Sequence, residues 1–243
     1  MSGQASIAER AAALRWYHTI DLGGGVVTDG WFDLRSLVGR YGLPERLEGK
    51  RALDVGTWDG FWAFEMERRG AEVVAIDIDD TSDLDWPVRR RPDPAPPEKR
   101  GEGFRLAREA LSSRVERLAL SVYDARPEVL GTFDVVFCGS VLVHLRDQVL
   151  ALERLAALSN DLIVLAEPYD RRAGWLPGAF SRHLADRDSS VVFWMPSART
   201  WRRLVWSAGF DQVDEKARFS LRDRSSSFSV RHVVVHGRKA AAT

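Results

Sequence analysis

The sequence of 243 residues has little cysteine, no excess of either charge and no long apolar run. Its single cysteine, Cys138, excludes an intrachain disulfide and a cysteine-based zinc site, so we predict no metal centre. Lysine and arginine together number 35, as do aspartate and glutamate, and this balance disfavours a polyanionic partner. No apolar run reaches the ~20 residues that cross a bilayer, and the N-terminus lacks the apolar core of a signal peptide. We therefore expect a cytoplasmic protein.

Apolar runs and amphipathic segments alternate along most of the chain. Five runs have the composition and the flanking turn residues of strands: 51–55, 72–77, 115–124, 133–140 and 161–168. Four segments between and after them have helical patterns: 60–70, 104–113, 146–158 and 197–210. We therefore predict an α/β fold with a Rossmann-like, doubly wound and mostly parallel sheet. Two successive strands within 211–219 and 229–238 predict an antiparallel C-terminal hairpin at the edge of that sheet.

The segments outside this alternation are predicted to surround the domain core. Residues 1–49 are predicted to form a helical N-terminal cap, because "MSGQASIAERAAALRWYH" has the pattern of an amphipathic helix. Residues 50–243 are predicted to form the main α/β domain. Proline-rich and charged sequence near 80–103, and an irregular segment near 169–196, predict cap insertions at the edge where such sheets bind ligands.

The turn after the first predicted strand, "LDVGTWDG" at 53–60, begins like a nucleotide-binding turn. In dinucleotide sites, three glycines let the backbone approach a pyrophosphate at a helix N-terminus. Here Gly56 and Gly60 remain, whereas Trp58 crowds the turn in the place of a glycine. A bulky turn with the acidic Asp54 ahead of it suits a ligand that has no phosphates.

Four side chains indicate what that ligand is. Asp54 is placed to contact a cationic or amino-acid group. Asp77, at the end of the second strand, is placed to accept hydrogen bonds from both hydroxyls of a ribose. After the third strand, Tyr123 is placed beside an adenine ring and Asp124 near its amino group. A nucleoside with an amino-acid tail and no phosphate describes S-adenosylmethionine.

Four motifs resemble, in order and spacing, those of class I S-adenosylmethionine-dependent methyltransferases: "ALDVGTWDG", "VVAIDID", "SVYD" and "FDVVFCGSVLVHL". The resemblance extends roughly from Lys50 to Pro168. It implies a methyltransferase that uses S-adenosylmethionine. It also implies that the cofactor is held by Asp54, Gly56, Thr57, Trp58, Gly60, Asp77, Ile78, Tyr123, Asp124 and Gly139. Trp58 is the departure from the family, because it stands in place of a second glycine.

The segment before the first strand, "WYHTIDLGGGVVTDGWFD", narrows the resemblance. Together with "SVYD" and "VLVHL" it resembles most the branch related to wobble-uridine tRNA carboxymethyl/methyl transferases, relatives of which also tailor small molecules. The methyl acceptor is therefore either a small, partly aromatic or apolar metabolite or tRNA, and the neutral charge balance favours the metabolite. A non-catalytic cofactor-binding scaffold is a third alternative. The resemblance leaves open whether the cofactor is plain or carboxylated.

Segments rich in aromatic and polar residues are predicted to build the acceptor site: 15–32, 139–144 and 167–200. The candidate acceptor-binding residues are Trp16, Tyr17, His18, Trp31, Tyr169 and Trp194. His144, in "GSVLVHL" after the fourth strand, is the candidate catalytic residue, because a neutral imidazole there can take a proton from a hydroxyl or amine. The alternative is that His144 caps the helix beginning near Arg146.

Overall fold

A computed structural model of the protein describes residues 5–91, 100–185 and 191–240. Its α-helices are α1 (Ile7–Ala12), α2 (Phe61–Arg68), α3 (Glu102–Ala110), α4 (Pro127–Leu130), α5 (Gln148–Leu158) and α6 (Ala198–Ser207). Its strands are β1 (Trp16–His18), β2 (Gly30–Phe32), β3 (Arg51–Val55), β4 (Glu72–Asp77), β5 (Glu116–Ala119), β6 (Phe133–Gly139), β7 (Ser159–Pro168), β8 (Ser181–His183), β9 (Trp194–Pro196), β10 (Gln212–Arg222) and β11 (Ser229–Arg238).

A central sheet holds seven of the described strands in the order β10-β11-β7-β6-β3-β4-β5. The strands from β7 to β5 are parallel, while β11 pairs antiparallel with both β7 and β10. The predicted α/β fold with an antiparallel C-terminal hairpin is therefore confirmed. The central parallel strands are apolar along most of their length because both faces of the sheet are covered.

Two apolar layers form the core, one on each face of the sheet. Successive residues of β3 enter opposite layers, since Ala52 packs in one and Leu53 in the other. Phe104 of α3 belongs to the first layer and Trp201 of α6 to the second, and both side chains are buried. Packing on both faces fixes the register of the strands and therefore the position of their carboxyl ends.

The order of the strands reverses between β3 and β6. From β3 the chain winds outward through β4 to β5, then crosses back to β6 and continues to β7. The loops that follow β3 and β6 therefore diverge and leave a crevice at the carboxyl ends of these strands. The turn that suggested a cofactor site lies at this reversal.

The N-terminal segment differs from the predicted amphipathic helix of residues 1–18. α1 is short, and Trp16–His18 forms β1, which pairs in parallel with β2. The backbone N–H groups of Tyr17 and His18 donate to the carboxylate of Asp59, which is 42 and 41 residues away in sequence. These long-range hydrogen bonds stabilise an extended backbone, so the prediction of a continuous helix is wrong here.

Each of the two segments predicted as cap insertions is described only in part. The first, near 80–103, includes residues 92–99, which lie outside the described part. The second, near 169–196, contains the two-stranded sheet of β8 and β9, and its residues 186–190 lie outside the described part. The division into a cap and a main domain near residue 50 stays a prediction.

The described helices are short. The longest, α5, has 11 residues, whereas a helix that spans a bilayer needs ~20. Within residues 5–91, 100–185 and 191–240, no helix is therefore able to cross a membrane.

Gly30 in β2 is required by the close approach of β1. A Cβ atom at this position would lie 2.1 Å from the carbonyl carbon of His18, which is backbone and cannot move aside. We expect Gly30→Ala to separate β1 from β2 and to lower the free energy of unfolding by ~1–3 kcal/mol, as overpacking usually does. Urea unfolding measures this change. Gly39→Ala is the matched control, because nothing lies within 4 Å of a Cβ built there. Equal stability of the two variants would contradict the close pairing.

Candidate functional site

A cavity of about 600 Å³ opens at the carboxyl ends of β3, β4 and β6. One part of its lining, here called the carboxylate end, consists of Asp54, Gly56, Thr57, Asp77, Ile78 and Tyr123. A second part, here called the aromatic end, consists of Tyr17, Tyr41, Trp62, Phe137 and Leu221, and it adjoins the first where Phe137 pairs with Asp54. Apolar walls with a few convergent polar groups are typical of sites for small molecules.

The aromatic end is built from residues that are distant in sequence. The ring centroid of Trp62 lies 4.5 Å from that of Phe137 and 4.2 Å from that of Tyr41. Tyr41 in turn lies 5.1 Å from Phe219 of β10. These rings come from the N-terminal segment, α2, β6 and β10, so this end of the cavity forms only when all four are assembled.

Asp54 lies in β3 and is only 2% exposed. Its Oδ2 atom has no hydrogen-bond partner among the described residues. Burial raises the pKa of this carboxyl to about 7. A buried carboxylate oxygen without a donor favours a cation or an N–H group arriving from the cavity. The site therefore fits the amino-acid group of S-adenosylmethionine.

Asp77, at the end of β4, binds the turn after β3 as well as lining the cavity. Its Oδ2 accepts the Trp58 N–H at 2.7 Å, and its Oδ1 accepts the Ile78 N–H at 2.8 Å. Burial raises the pKa of Asp77, and the guanidinium of Arg100, 3.7 Å from Oδ1, opposes that rise. Since a carboxylate oxygen can accept a second hydrogen bond, both oxygens remain able to receive ribose hydroxyls.

Trp58 adopts the left-handed backbone conformation that glycine favours, with a φ of 49°. This conformation explains why a glycine is usual at this position, since it costs a residue with a Cβ atom roughly 1–2 kcal/mol of stability. The N–H bond to Asp77 opposes that loss. The indole also lies under the guanidinium carbon of Arg100, 4.3 Å from the ring centroid, and 5.3 Å from the ring of Tyr17. Trp58 is thus held as part of the cavity wall.

Asp59 is 1% exposed and holds β1 against the turn after β3. Its Oδ2 accepts the N–H of Tyr17 at 2.9 Å and the N–H of His18 at 2.7 Å. Its Oδ1 lies 2.5 Å from Nδ1 of His18, which is the donor because a carboxylate can only accept. These three hydrogen bonds place the side chains of Tyr17 and His18 on the cavity wall.

Glu167, near the end of β7, is fully buried and holds the loop after β6. Its Oε1 accepts the N–H groups of Val141 and Leu142 at 2.8 and 3.0 Å, and its Oε2 accepts that of Val143 at 3.3 Å. Burial raises the pKa of this carboxyl to about 7, against the effect of the three hydrogen bonds. The loop that Glu167 holds carries His144 to the cavity.

His144 is partly buried in the cavity wall, in a short 3₁₀ turn. Its Nδ1 contacts the carbonyl oxygen of Val191, which can only accept, so Nδ1 carries the proton and Nε2 is free to accept one. Burial lowers the pKa of the ring and so favours its neutral form. Asp147 is the N-cap of α5 and accepts the N–H of Leu150. The alternative that His144 caps this helix is therefore wrong.

The structure brings most of the predicted site residues to one cavity. Those that line it are Asp54, Gly56, Thr57, Trp58, Asp77, Ile78, Tyr123, Gly139, Tyr17, His18 and His144. The predicted residues that do not line it are Gly60, Asp124, Trp16, Trp31, Tyr169 and Trp194.

Two of the predicted cofactor-binding residues are placed elsewhere. Gly60 precedes α2 with a φ of 92°, and a Cβ there would lie 2.4 Å from the ring of Phe64, so this glycine is required by packing. Asp124 is exposed in the turn after β5. Tyr123 lines the cavity, but its hydroxyl donates to Asp85 at 2.8 Å, which leaves its ring as the surface for a ligand.

Four of the predicted acceptor-binding residues lie outside this cavity. Trp16 and Trp31 line a second cavity of about 430 Å³, which shares Trp58 with the first. Tyr169 packs beneath an arginine of β10. Trp194 lies in β9 and packs edge-on against the facing histidine of β8. Aromatic composition alone predicted that these segments surround a site, but it could not indicate which rings enter it.

Asp59 and Glu167 are supporting residues that the sequence patterns did not single out. Neither lines the cavity, and each acts by holding a loop that does. The signal for Glu167 is its position, since "LIVLAEP" ends an apolar strand with one acidic residue. A carboxylate at the end of a buried strand needs donors, and here the donors are backbone N–H groups.

Residues 31–215 match a protein family described as a methyltransferase domain. Over 104 residues the chain is 32% identical to magnesium-protoporphyrin O-methyltransferase from Rhodobacter capsulatus. That match covers 43% of this chain but only 38% of the length of the relative.

Two solved structures are similar in fold. The N-terminal domain of EvdMO1 with SAH bound has a TM-score of 0.68 and 19% identity, and the match covers 96% of both chains. Magnesium protoporphyrin IX methyltransferase (ChlM) from Synechocystis PCC 6803 with bound SAM has a TM-score of 0.54 and 16% identity. That match covers 85% of this chain and 78% of the other. At these identities the likeness establishes the fold.

Asp54 makes the stability of the cofactor-free protein depend on pH. Its carboxyl binds a proton on folding when the pH lies between its ordinary pKa of 3.8 and its folded pKa of about 7, so stability falls as the pH rises through this window. We expect Asp54→Asn to exceed the wild type in free energy of unfolding at pH 8, by at most about 4 kcal/mol, and to approach it at pH 4. Urea unfolding at both pH values measures the difference.

Glu45→Gln is the control for this prediction, because Glu45 is an exposed carboxylate. It is expected to follow the wild type at both pH values. A difference between wild type and Asp54→Asn that does not change with pH would contradict the proposed proton uptake by Asp54.

Proposed function

The chain belongs to the methyltransferase domain family and is an S-adenosylmethionine-dependent methyltransferase, and from this premise we propose that its acceptor is a small, partly aromatic or apolar metabolite. The observation that carries the proposal is a single cavity with a carboxylate end and an aromatic end. The first offers acceptors to a cationic, hydroxyl-bearing cofactor, and the second offers apolar walls to a molecule of modest size.

S-adenosylmethionine, when bound, supplies a methyl group that is already activated on a sulfonium. We assign its amino-acid group to Asp54, its ribose to Asp77 and its adenine to the ring of Tyr123. The unpartnered Oδ2 of Asp54 and the remaining lone pairs of Asp77 support the first two assignments. The walls around these three groups would come from Gly56, Thr57, Trp58, Ile78 and Gly139.

The acceptor is assigned to the aromatic end, beside Tyr17 and His18. The curated relative acts, by its name, on a magnesium-protoporphyrin, and this supports an aromatic or apolar small molecule here. The buried rings of Tyr41, Trp62 and Phe137 provide apolar contacts for such a molecule. An apolar wall also excludes water from the reacting groups, so that positioning supplies much of the rate.

We assign His144 as the general base. Its ring lines the cavity, its Nδ1 is committed to the carbonyl of Val191, and its lowered pKa favours a neutral ring whose Nε2 can take a proton. A base in this position removes the proton of a hydroxyl or amine acceptor as the new bond to the methyl carbon forms. An acceptor that is already an anion would need no such step.

The resemblance to the wobble-uridine tRNA branch stays a prediction. An enzyme that binds RNA usually presents a basic surface, whereas the charges of this chain sum to zero. The family match also disfavours a non-catalytic scaffold. The small-molecule acceptor is therefore the proposal that the cavity and the charge balance support best.

The ribose assignment predicts that Asp77→Asn weakens the binding of S-adenosylmethionine by about tenfold or more. Charge-assisted hydrogen bonds are each worth ~1.5–3 kcal/mol, and the amide loses the charge and one acceptor oxygen. Titration calorimetry measures the affinity. Asp79→Asn is the matched control, because Asp79 is exposed and pairs with Arg117 outside the cavity lining. Unchanged affinity in Asp77→Asn would remove Asp77 from the cofactor site.

Transfer of labelled methyl from S-adenosylmethionine tests the function itself. The protein is given a metabolite fraction freed of protein and RNA, total tRNA, or magnesium-protoporphyrin as a defined probe. We expect label in a small molecule and none in tRNA. His144→Ala is expected to lower the rate by ~10²–10⁴-fold, with His183→Ala at an exposed position as its control. Label confined to tRNA would overturn the small-molecule assignment.

A further inference from the structure

At the aromatic end of the cavity, the hydroxyl of Ser140 is hydrogen-bonded to a buried histidine of a neighbouring strand. Its Oγ lies 2.8 Å from Nε2 of His232. Ser140 follows β6, is partly exposed and lines the cavity, whereas His232 lies in β11 and is 1% exposed. Neither residue is used by the cofactor assignments or by His144.

The direction of this hydrogen bond is fixed by the other ring nitrogen of His232. Nδ1 lies 3.3 Å from the carbonyl oxygen of Val230, and a carbonyl can only accept. Nδ1 therefore carries the ring proton, and Nε2 accepts the proton of the Ser140 hydroxyl. Burial lowers the pKa of His232 to about 4, so the ring is neutral near pH 7. The oxygen of Ser140 consequently presents only lone pairs to the cavity.

The hydroxyl of Tyr17 is a second ionisable group on the cavity wall near Ser140. Burial raises the pKa of Tyr17 to about 12, so this hydroxyl keeps its proton. The Tyr17 hydroxyl can therefore donate, and the oxygen of Ser140 is the group here that accepts a hydrogen bond from a ligand.

The backbone at Ser140 supports a use for its side chain. Its φ of 57° lies in the left-handed region, where glycine would avoid the strain. The ring of His232 is also held in place, because it stacks on Phe219 with centroids 6.1 Å apart and an angle of 9°. A strained serine bonded to a fixed histidine is a local arrangement of the kind found at ligand sites.

We propose that Ser140, with its polarity set by His232, selects acceptor molecules that present a hydroxyl or N–H donor at the aromatic end of the cavity. The inference rests on the proposed function, which assigns this end to the acceptor. Ser140 contacts the acceptor, and His232 is a positioning residue that acts through Ser140. A methoxy group in the same place would bring two hydrogen-bond acceptors together and leave buried oxygens unpaired.

Binding of phenol and anisole to the protein saturated with SAH tests this polarity without measuring methyl transfer. SAH occupies the cofactor region, so the two probes report on the aromatic end. We expect the wild type to bind phenol about five- to tenfold more tightly than anisole, because phenol makes one more net hydrogen bond. Titrations followed by ligand-observed NMR measure both affinities. Ser140→Ala and His232→Phe are expected to reduce the preference to about twofold or less, while the affinity for SAH stays unchanged.

His236→Gln is the matched control, because His236 is buried on the same strand and its Nε2 bonds to the carbonyl of Tyr41 at 2.8 Å instead. This variant is expected to keep the wild-type preference. His232→Gln retains a hydrogen-bond acceptor for Ser140 and is expected to keep more of the preference than His232→Phe does.

Equal affinity of the wild type for phenol and anisole, or an unchanged preference in Ser140→Ala, would overturn the inference. An intact preference for phenol in a protein that transfers no methyl group to any small molecule would instead count against the proposed function. The two failures are therefore distinguishable.

Discussion

The cavity depends first on one buried carboxylate, that of Asp59. It belongs to the turn after β3 and receives three N–H groups from residues about forty positions earlier in the chain. A buried charge of this kind is stable only while its donors are in place, since each lost donor leaves a desolvated oxygen. β1 therefore cannot leave the turn without a large penalty. As a result, Tyr17 and His18 belong to the cavity wall in the folded protein, and the N-terminal segment is part of the site.

Glu167 imposes the same constraint on a second segment of the cavity wall. It accepts three backbone N–H groups from the loop after β6, just as Asp59 accepts two from β1. Because both carboxylates bind mainly to backbone, the side chains of the segments they hold stay available to a ligand. Ser140 and His144 thus face the cavity from a loop whose backbone is already satisfied. When buried groups hold the backbone beneath an accessible side chain, the functional group is already in position. Ligand binding then costs little conformational entropy.

The sequence separation between interacting residues explains how much of the site the sequence could predict. Asp54 and Asp77 are local signals, because each is an acidic residue in or at the end of an apolar strand, and the fold places both at the carboxylate end of the cavity. Asp124 belongs to the motif "SVYD", but the side chain is exposed. Its exposure depends on residues distant in sequence, which a short motif does not contain. Residues Trp16–His18 continue a helical pattern, yet hydrogen bonds to Asp59 hold them extended. Periodicity reports local preference, and it fails where a distant buried charge decides the backbone conformation.

The turn after β3 also explains why this site suits a cofactor without phosphates. A phosphate-binding turn presents free backbone N–H groups to an anion. Here the N–H of Trp58 is already bonded to Asp77, and a second buried carboxyl, that of Asp54, lies nearby on β3. The left-handed φ of Trp58 keeps the backbone shape that glycine allows, while the indole covers the turn and contacts the guanidinium of Arg100. At this turn an anion would meet the carboxyl groups of Asp54 and Asp77, and Arg100 is already engaged by Asp77 and the indole, whereas a cationic group and ribose hydroxyls would meet the oxygens they need.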